Sequence, residues 1–433
     1  MENQFKVGVA REVITPKLGA QLCGYPRKRP AEAVRDDLNA TAIAFEKGDL
    51  KGVMISVDIL DAPKIVVDVI REGIQKETGI DFKNIIFSAT HTHSGPATKT
   101  TAGWGEANDE YVESILIPQT IKAGKLACEN IKPAVMGVAT IESKVAMNRR
   151  QCTEKGGVML GQNSFGIYDP TMTVLAFKTL EGEGIVNMIH YGCHGTSSAP
   201  TLEITRDWMG VMVDGVETQT NTITAFFNGA EGDVGPRLSN GRTVGNHGYR
   251  EMEEVGSLAT LDAVKAYKSI KDYGDVDFDI LKGQVNLPYK PIMTVEQVNA
   301  RIVELGDPEL LHDSQIREMD SLQKILKMHE EGQEIKTDLI FDQALFVFNS
   351  TIFVPFPFEM FSTISLRLRE FSPYQNTLCL SNANDTLCYL PAQEDLVRGG
   401  YEVAMFKGGI YKLKDDTDST IIKENLRIMR EKA

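Results

Sequence analysis

No stretch of this 433-residue chain stays apolar over the length of a membrane span, so no transmembrane segment is expected. The first residues, Met1 to Gly8, carry no basic stretch leading into an apolar core. A secretion signal is therefore not expected, and the expected location is cytoplasmic. Basic residues are in deficit: Lys and Arg number 46 against 60 Asp and Glu, a net charge of −14, with no Lys/Arg-rich block. That balance argues against nucleic acid as a partner and favours solubility. Cysteine is sparse and scattered: Cys23, Cys128, Cys152, Cys193, Cys379 and Cys388 form no C-x-x-C pair. Reduced thiols in a cytosolic protein fit this usage better than a disulfide framework. Two enzymatic signatures are also missing. The glycine-rich run Gly229 to Arg237 is not followed by Lys-Ser/Thr, so it is not a phosphate-binding Walker loop. No G-x-S-x-G elbow occurs, which removes the anchor for a serine hydrolase.

What is present reads as an ordinary soluble globular protein, 42% hydrophobic and 24% charged. Its length exceeds a single typical domain, yet no linker composition divides it. Short apolar runs alternate with amphipathic segments. Val53–Val57 and Ile85–Phe87 are strand-like, and Ala62 to Gln75 and Asp109 to Glu129 have helical spacing. Thr173–Phe177 and Gly184–His190 predict a hairpin across Glu181-Gly182-Glu183-Gly184. Helices are predicted at Arg206 to Val216, Tyr249 to Tyr267 and Phe358 to Phe371. Strands are predicted at Ile223–Phe227, Leu339–Phe348, Thr351–Val354 and Thr377–Leu380. Between Val295 and Glu331 charged residues alternate with Val298, Ile302, Leu305, Leu322, Ile325 and Leu326, broken by Gly306-Asp307-Pro308. This predicts a helical hairpin inserted at 295–331, with a solvated face and no chemistry. The class is α/β, with mixed sheets flanked by helices.

Four separated segments offer ligands for a divalent metal. His91-Thr92-His93 follows the strand Ile85–Phe87, at a carboxyl end, where open α/β sheets place their chemistry. Imidazoles at i and i+2 of an extended segment point the same way, which suits metal binding or proton transfer. A pair of satisfied polar histidines is the alternative. His194 lies in a Gly-flanked turn beyond the strand Gly184–His190. It is the better ligand candidate there, whereas His190, inside the strand, reads as structural. Glu359, opening a helix, is equally read as complementing the helix dipole, and Tyr389 as a loop aromatic. The loop Gly229 to Arg237, with the Asp233 carboxylate at its centre, is either a structural turn or an active-site loop.

Taken in order, these segments resemble the neutral/alkaline (non-lysosomal) ceramidase family over almost the whole chain. Gly8 to Pro16 with Gly24-Tyr25 is similar to the family's G-x-x-x-x-D-I-T-P…G-Y start, Glu12 replacing Asp. Asp37 to Ala42 is similar to the next strand entry, and Thr90 to Pro96 is the strongest signature. Asn148-Arg149 resembles the family's Asn-Arg pair, and His194 to Ser197 with Ile204 to Asp207 its H-x-T-S…I-S-A-D segment. Pro357-Phe358-Glu359 resembles P-G-E. Ser381-Asn382 through Tyr389 to Tyr401-Glu402 resembles S-N…Y…Y-E. The resemblance implies a single large catalytic domain over 1–433 and a zinc ion held by His91, His194, Glu359 and Tyr389. It further implies His93, Asp233 and Arg149 as catalytic residues, with Gly24, Tyr25 and Tyr401 lining the substrate site.

Three departures point away from ceramide. Gly235 stands where the family pattern G-D-V-S-P has its serine. The chain ends soon after Tyr401-Glu402, without a C-terminal immunoglobulin-like domain, and it has no secretion signal. The resulting expectation is a zinc-dependent amidohydrolase using water activated by the metal. His93 or Asp233 would act as general base and Arg149 would steady the oxyanion. The same site would serve an esterase or lactonase, and a non-catalytic metal-dependent binder that lost activity with its serine is the reading from another class. Arg206 and Arg237, with Arg150 and Arg242 nearby in sequence, suggest a small, polar, anionic substrate rather than a sphingolipid. Their alternative is pairing with the chain's own carboxylates.

Overall fold

The computed structural model describes residues 4–26, 28–101, 105–238 and 247–431; Arg242 lies outside them. Among the described residues, three sheets surround one shared core. The first has the order Ile85–Ala89, Leu50–Val57, Asn39–Lys47, Lys6–Val13, Lys132–Pro133. The second runs Thr224–Asn228, Gly184–Tyr191, Thr171–Lys178, Val135–Glu142. The third runs Phe278–Pro288, Asp338–Phe348, Thr351–Pro355, Asn376–Leu380.

Period-two side-chain alternation explains why their strands read as unbroken apolar runs, because both faces are covered. Ile43, Phe45, Met54 and Ile86 face the shared core, while Ala42, Ala44, Ile55 and Phe87 face the opposite way. The same alternation sends Phe177, Phe227, Phe346, Phe348 and Phe353 inward from the other two sheets. Aromatic contacts bind the three together: Phe45 lies 4.8 Å from Phe348 and 5.8 Å from Phe177, ring centre to ring centre. Helices cover the outer faces. Lys64–Thr78 and Ile117–Glu129 back the first sheet, Asp207–Thr220 and His247–Ser269 the second, Ser362–Phe371 and Thr417–Arg430 the third.

Two expectations shift. The helix expected over 109–129 contains a π-turn at Val112–Leu116 before its α-helical part. Pro118, which has no N–H to donate, sits where the bonding pattern changes. Glu359 opens a two-residue strand, Glu359–Met360, which pairs in parallel with Tyr389–Leu390, and the helix starts only at Ser362. Backbone bonds from Glu359 N to Cys388 O and Phe361 N to Leu390 O divert the chain from helix there. The diversion sets Glu359 beside Tyr389.

Each sheet contains one parallel pair among the described residues: Leu50–Val57 with Ile85–Ala89, Gly184–Tyr191 with Thr224–Asn228, and Thr351–Pro355 with Asn376–Leu380. Their carboxyl ends meet. Ala89 N donates to Asn382 O, Ser381 N to Asn228 O, and Asn228 Nδ2 to Thr90 O, stitching all three sheets at one point. The helical segment is formed by Val295–Leu305 and Asp313–Glu330 over its own cluster of Val298, Leu305, Met319, Leu322 and Ile325. A capping box of Thr294 and Gln297 starts it. No helix among the described residues is long and apolar enough to cross a membrane.

Candidate metal centre

The convergence of strand ends gathers His91, His93, His194 and Glu359. His91 adopts a left-handed backbone at φ +68, so the His91–His93 segment is kinked rather than extended. The two rings nevertheless meet, 4.9 Å apart, and His194 lies 4.6 Å from His91. Each imidazole is held through Nδ1 by a backbone carbonyl: His91 by Leu60 O at 2.9 Å, His93 by Gly24 O at 2.7 Å, His194 by Glu231 O at 2.9 Å. A carbonyl can only accept, so Nδ1 carries the proton and Nε2 presents a lone pair.

Those three bare Nε2 atoms face one another, with possible ligand atoms of His91, His93 and His194 all within 4.8 Å of each other. Glu359 Oε2 stands 3.4 Å from His91 Nε2 and 3.1 Å from His194 Nε2, yet has no partner in hydrogen-bonding geometry. The Tyr389 hydroxyl lies 3.5 Å from His194 Nε2. Lone pairs converging without protons between them repel unless a cation joins them. Two or three imidazoles, a carboxylate and a phenol form a donor set that suits a divalent ion of the zinc type.

The charges of the metal-free cluster follow the same logic. Burial lowers the basicity of His91, but Glu359 outweighs it and raises the imidazole to about 9. Burial pushes Glu359 up, but His91 and His194 hold it well below the usual carboxylate range. A proton between them thus supplies the positive charge that the donor set calls for. His194 is pushed down to about 3 by burial and by the Arg149 guanidinium. Burial, then His91 and His194, keep His93 neutral.

Around this centre lies a cavity of about 260 Å³, lined by His91, His93, Glu359, Tyr389 and Tyr401, with Asp61, Lys99 and Arg317. Gly24 and Tyr25 support its wall. The Tyr25 ring packs edge-on against His93 at 5.2 Å, and Gly24 takes φ +96 with no room for a Cβ, which would stand 2.6 Å from the His93 ring. Gly24→Ala should therefore shift His93 and cost about 1–3 kcal/mol in backbone strain. A thermal melt and a rate measurement check it: a lowered melting temperature with at least about tenfold slower turnover is expected, following the misplacement argument.

Several residues stand differently from the sequence expectation. Arg206 does not line the cavity. Its Nε donates to Asp36 at 3.0 Å, and Nη1 and Nη2 grip Asp214 at 3.0 and 2.7 Å. Internal pairing thus accounts for this arginine. Arg237 is exposed, its backbone N bonded to Val145 O, and it too lies outside the cavity lining. Asp233 is buried with Oδ1 accepting from Ser362 N, and Oδ2 from Ser362 Oγ and Asn148 Nδ2. That leaves its carboxylate positioned to hold structure rather than to reach a bound molecule. Arg149 donates through Nε to Glu402 at 3.0 Å and through Nη2 to the Tyr389 oxygen at 3.0 Å. It faces the Tyr389 phenol, and it does not line the cavity. Gly235 pairs with Met147 in the strand Val234–Pro236 and offers no hydroxyl. His190 is structural, its Nε2 2.7 Å from Cys379 O.

Three contributors lie in segments that the sequence singled out, but without a role for their side chains. Glu231 is fully buried and pushed up to about 8 by burial; a carboxylate oxygen of it lies within 4.8 Å of ligand atoms of His91 and Glu359. Asn382, at φ +48, donates to Glu231 Oε1 at 2.8 Å and lies 3.2 Å from His91 Nδ1. Glu402, 1% exposed, grips both Arg149 and Arg150. Their partners lie far away in sequence, and only the fold reveals them.

No protein-family model and no curated protein matches the sequence. Among solved structures, the crystal structure of neutral ceramidase from Pseudomonas aeruginosa is similar at TM-score 0.75 and 16% identity, over 99% of this chain and 75% of that one. A ceramidase complexed with C2 is similar at TM-score 0.74 and 16% identity, over 99% of this chain and 76% of that one. The chain thus has the mixed α/β fold of the neutral ceramidase catalytic domain, in one domain.

Proposed function

We propose that the protein is a zinc-dependent hydrolase that cleaves the amide C–N bond of a small polar substrate with water. One observation carries this reading. Three Nε2 atoms and a carboxylate oxygen without a hydrogen bond of good geometry converge beside a cavity, each imidazole fixed by a backbone carbonyl behind it. The fold shared with ceramidases, which are amide hydrolases by name, supports the reaction class. The cavity, about 260 Å³ with Asp61, Lys99 and Arg317 in its wall, suits a small polar molecule rather than a two-chain lipid.

In this reading His91, His194, Glu359 and Tyr389 hold the ion. When bound, zinc supplies Lewis acidity to the carbonyl and makes water available as a nucleophile near neutral pH. The Arg149 guanidinium donates to the Tyr389 oxygen and pulls towards the phenolate, against burial and Glu359, which push the phenol well up; a bound cation would have to supply the rest. Glu402 aims that guanidinium. His93 is the general base on geometry: its Nε2 faces the centre and Gly24 fixes its ring. It takes the proton from water and returns it to the departing nitrogen as the C–N bond breaks. Asp233 acts at one remove, holding Asn148 and the start of the Ser362 helix.

Zinc-loaded protein screened against matched amides, esters and lactones tests this. Turnover of amides is the expected result. Esters or lactones turned over without amides would reassign the bond, and no turnover of any class would remove the hydrolase reading.

A further inference from the structure

The loop after the strand Thr224–Asn228 brings a second carboxylate to the histidines, and a glycine lets it come close. A Cβ at Gly232 would stand 2.5 Å from Glu359 O, and Gly232 N donates to Met360 O at 2.8 Å. The turn therefore lies directly against the backbone of Glu359–Met360. Glu231, one residue earlier, is held through both backbone and side chain. Its carbonyl accepts from Val234 N at 2.8 Å and from His194 Nδ1 at 2.9 Å. Its Oε1 accepts from Asn382 Nδ2 at 2.8 Å. Its Oε2 is buried and has no hydrogen bond of good geometry.

A carboxylate oxygen of Glu231, a ring nitrogen of His91 and a carboxylate oxygen of Glu359 all lie within 4.8 Å of one another. Oxygen and nitrogen donors bind zinc at about 2.0–2.2 Å, so two on one ion stand at most about 4.4 Å apart. The three atoms are thus close enough to share an ion after a small adjustment. Buried polar atoms are as a rule partnered, and a divalent cation would partner the open oxygens of Glu231 and Glu359 together.

We propose that Glu231 is a further ligand of the metal centre, so that its divalent ion is held by two carboxylates, Glu231 and Glu359, beside the imidazoles. The added oxygen raises the coordination number and makes the donor set harder, which suits ions that accept more oxygen ligands. The inference rests on the metal centre of the hydrolase reading and not on the reaction run there.

Three measurements on wild type and Glu231→Gln test it. In a zinc titration of metal-free protein against a competing chelator, the variant should bind at least about tenfold more weakly. Cobalt(II) with fewer ligands absorbs visible light more strongly, so the variant should gain absorption per bound cobalt. Without metal the variant should melt no lower than wild type, because a ligand without its ion is only a buried carboxylate. Equal zinc affinity, an unchanged cobalt spectrum or a lower metal-free melting temperature overturns the proposal and leaves the metal centre standing. A wild type that takes up neither ion removes the metal centre itself, and this ligand with it.

Discussion

Chelating the metal should cut amide turnover by about a thousandfold or more, and added zinc should restore it. Lewis-acid stabilisation of the transition state is worth several kcal/mol, and each 1.36 kcal/mol is about tenfold in rate. Two alternative sources are engaged or missing at the cluster. Arg149 is occupied by Glu402 and Tyr389. Gly235 supplies no hydroxyl. His194→Ala should reproduce the effect of chelation, because it removes one lone pair and leaves Glu359 with a single imidazole neighbour. Turnover that survives prolonged chelation in wild type, at a rate equal to that of the zinc-loaded protein, is the outcome that contradicts this account.

Glu402→Leu should destabilise the fold by about 3–5 kcal/mol, the cost of leaving buried charges uncompensated. Glu402 is 1% exposed and binds Arg149 Nε at 3.0 Å and Arg150 Nη1 at 2.7 Å. Both arginines are themselves buried, so neither can turn to water once the carboxylate is gone. Arg150 keeps a bond to Gly399 O and lies 3.6 Å from Asp395, whereas the Arg149 guanidinium keeps a hydrogen bond to the Tyr389 oxygen. Turnover should therefore fall along with stability, as Arg149 drifts from Tyr389. Replacing Arg149 and Arg150 by Met in the same variant should recover part of the stability without activity. Denaturant unfolding reads the first effect and its reversal. A loss below about 1 kcal/mol, the range of an exposed pair, would show that the network is solvated and not structural.

The legible part of the site was the part carried by strand ends. Ile85–Phe87 and Gly184–His190 are apolar runs with a glycine or serine turn behind them, and the periodicity alone puts His91 and His194 at carboxyl termini. What the sequence could not express was the pairing of Glu359–Met360 with Tyr389–Leu390, two residues against two across a thirty-residue excursion. Local pattern favours a helix at Glu359, and backbone bonds to Cys388 and Leu390 override it; only a family resemblance pointed to these two residues. Arginine was the least legible residue type. Arg206 looked like an anion receptor, yet it is held by Asp214, two turns along the helix it caps, and by Asp36, which the fold alone brings near. Arg317 looked like one charge among many on a solvated hairpin, yet the fold sets it in the cavity wall. The three-sheet core was legible as strands but not as an arrangement, since alternation within a run buried on both faces says nothing about which sheet it meets.

Metal content measured by mass spectrometry on protein purified without chelator, and again after incubation with zinc and desalting, tests the central claim most directly. The account predicts a stoichiometric divalent ion per chain in wild type, and its loss in a folded His91→Ala, His194→Ala variant. A wild-type protein that retains no ion after zinc incubation, or a double variant that retains it fully, would contradict the metal centre on which the rest depends.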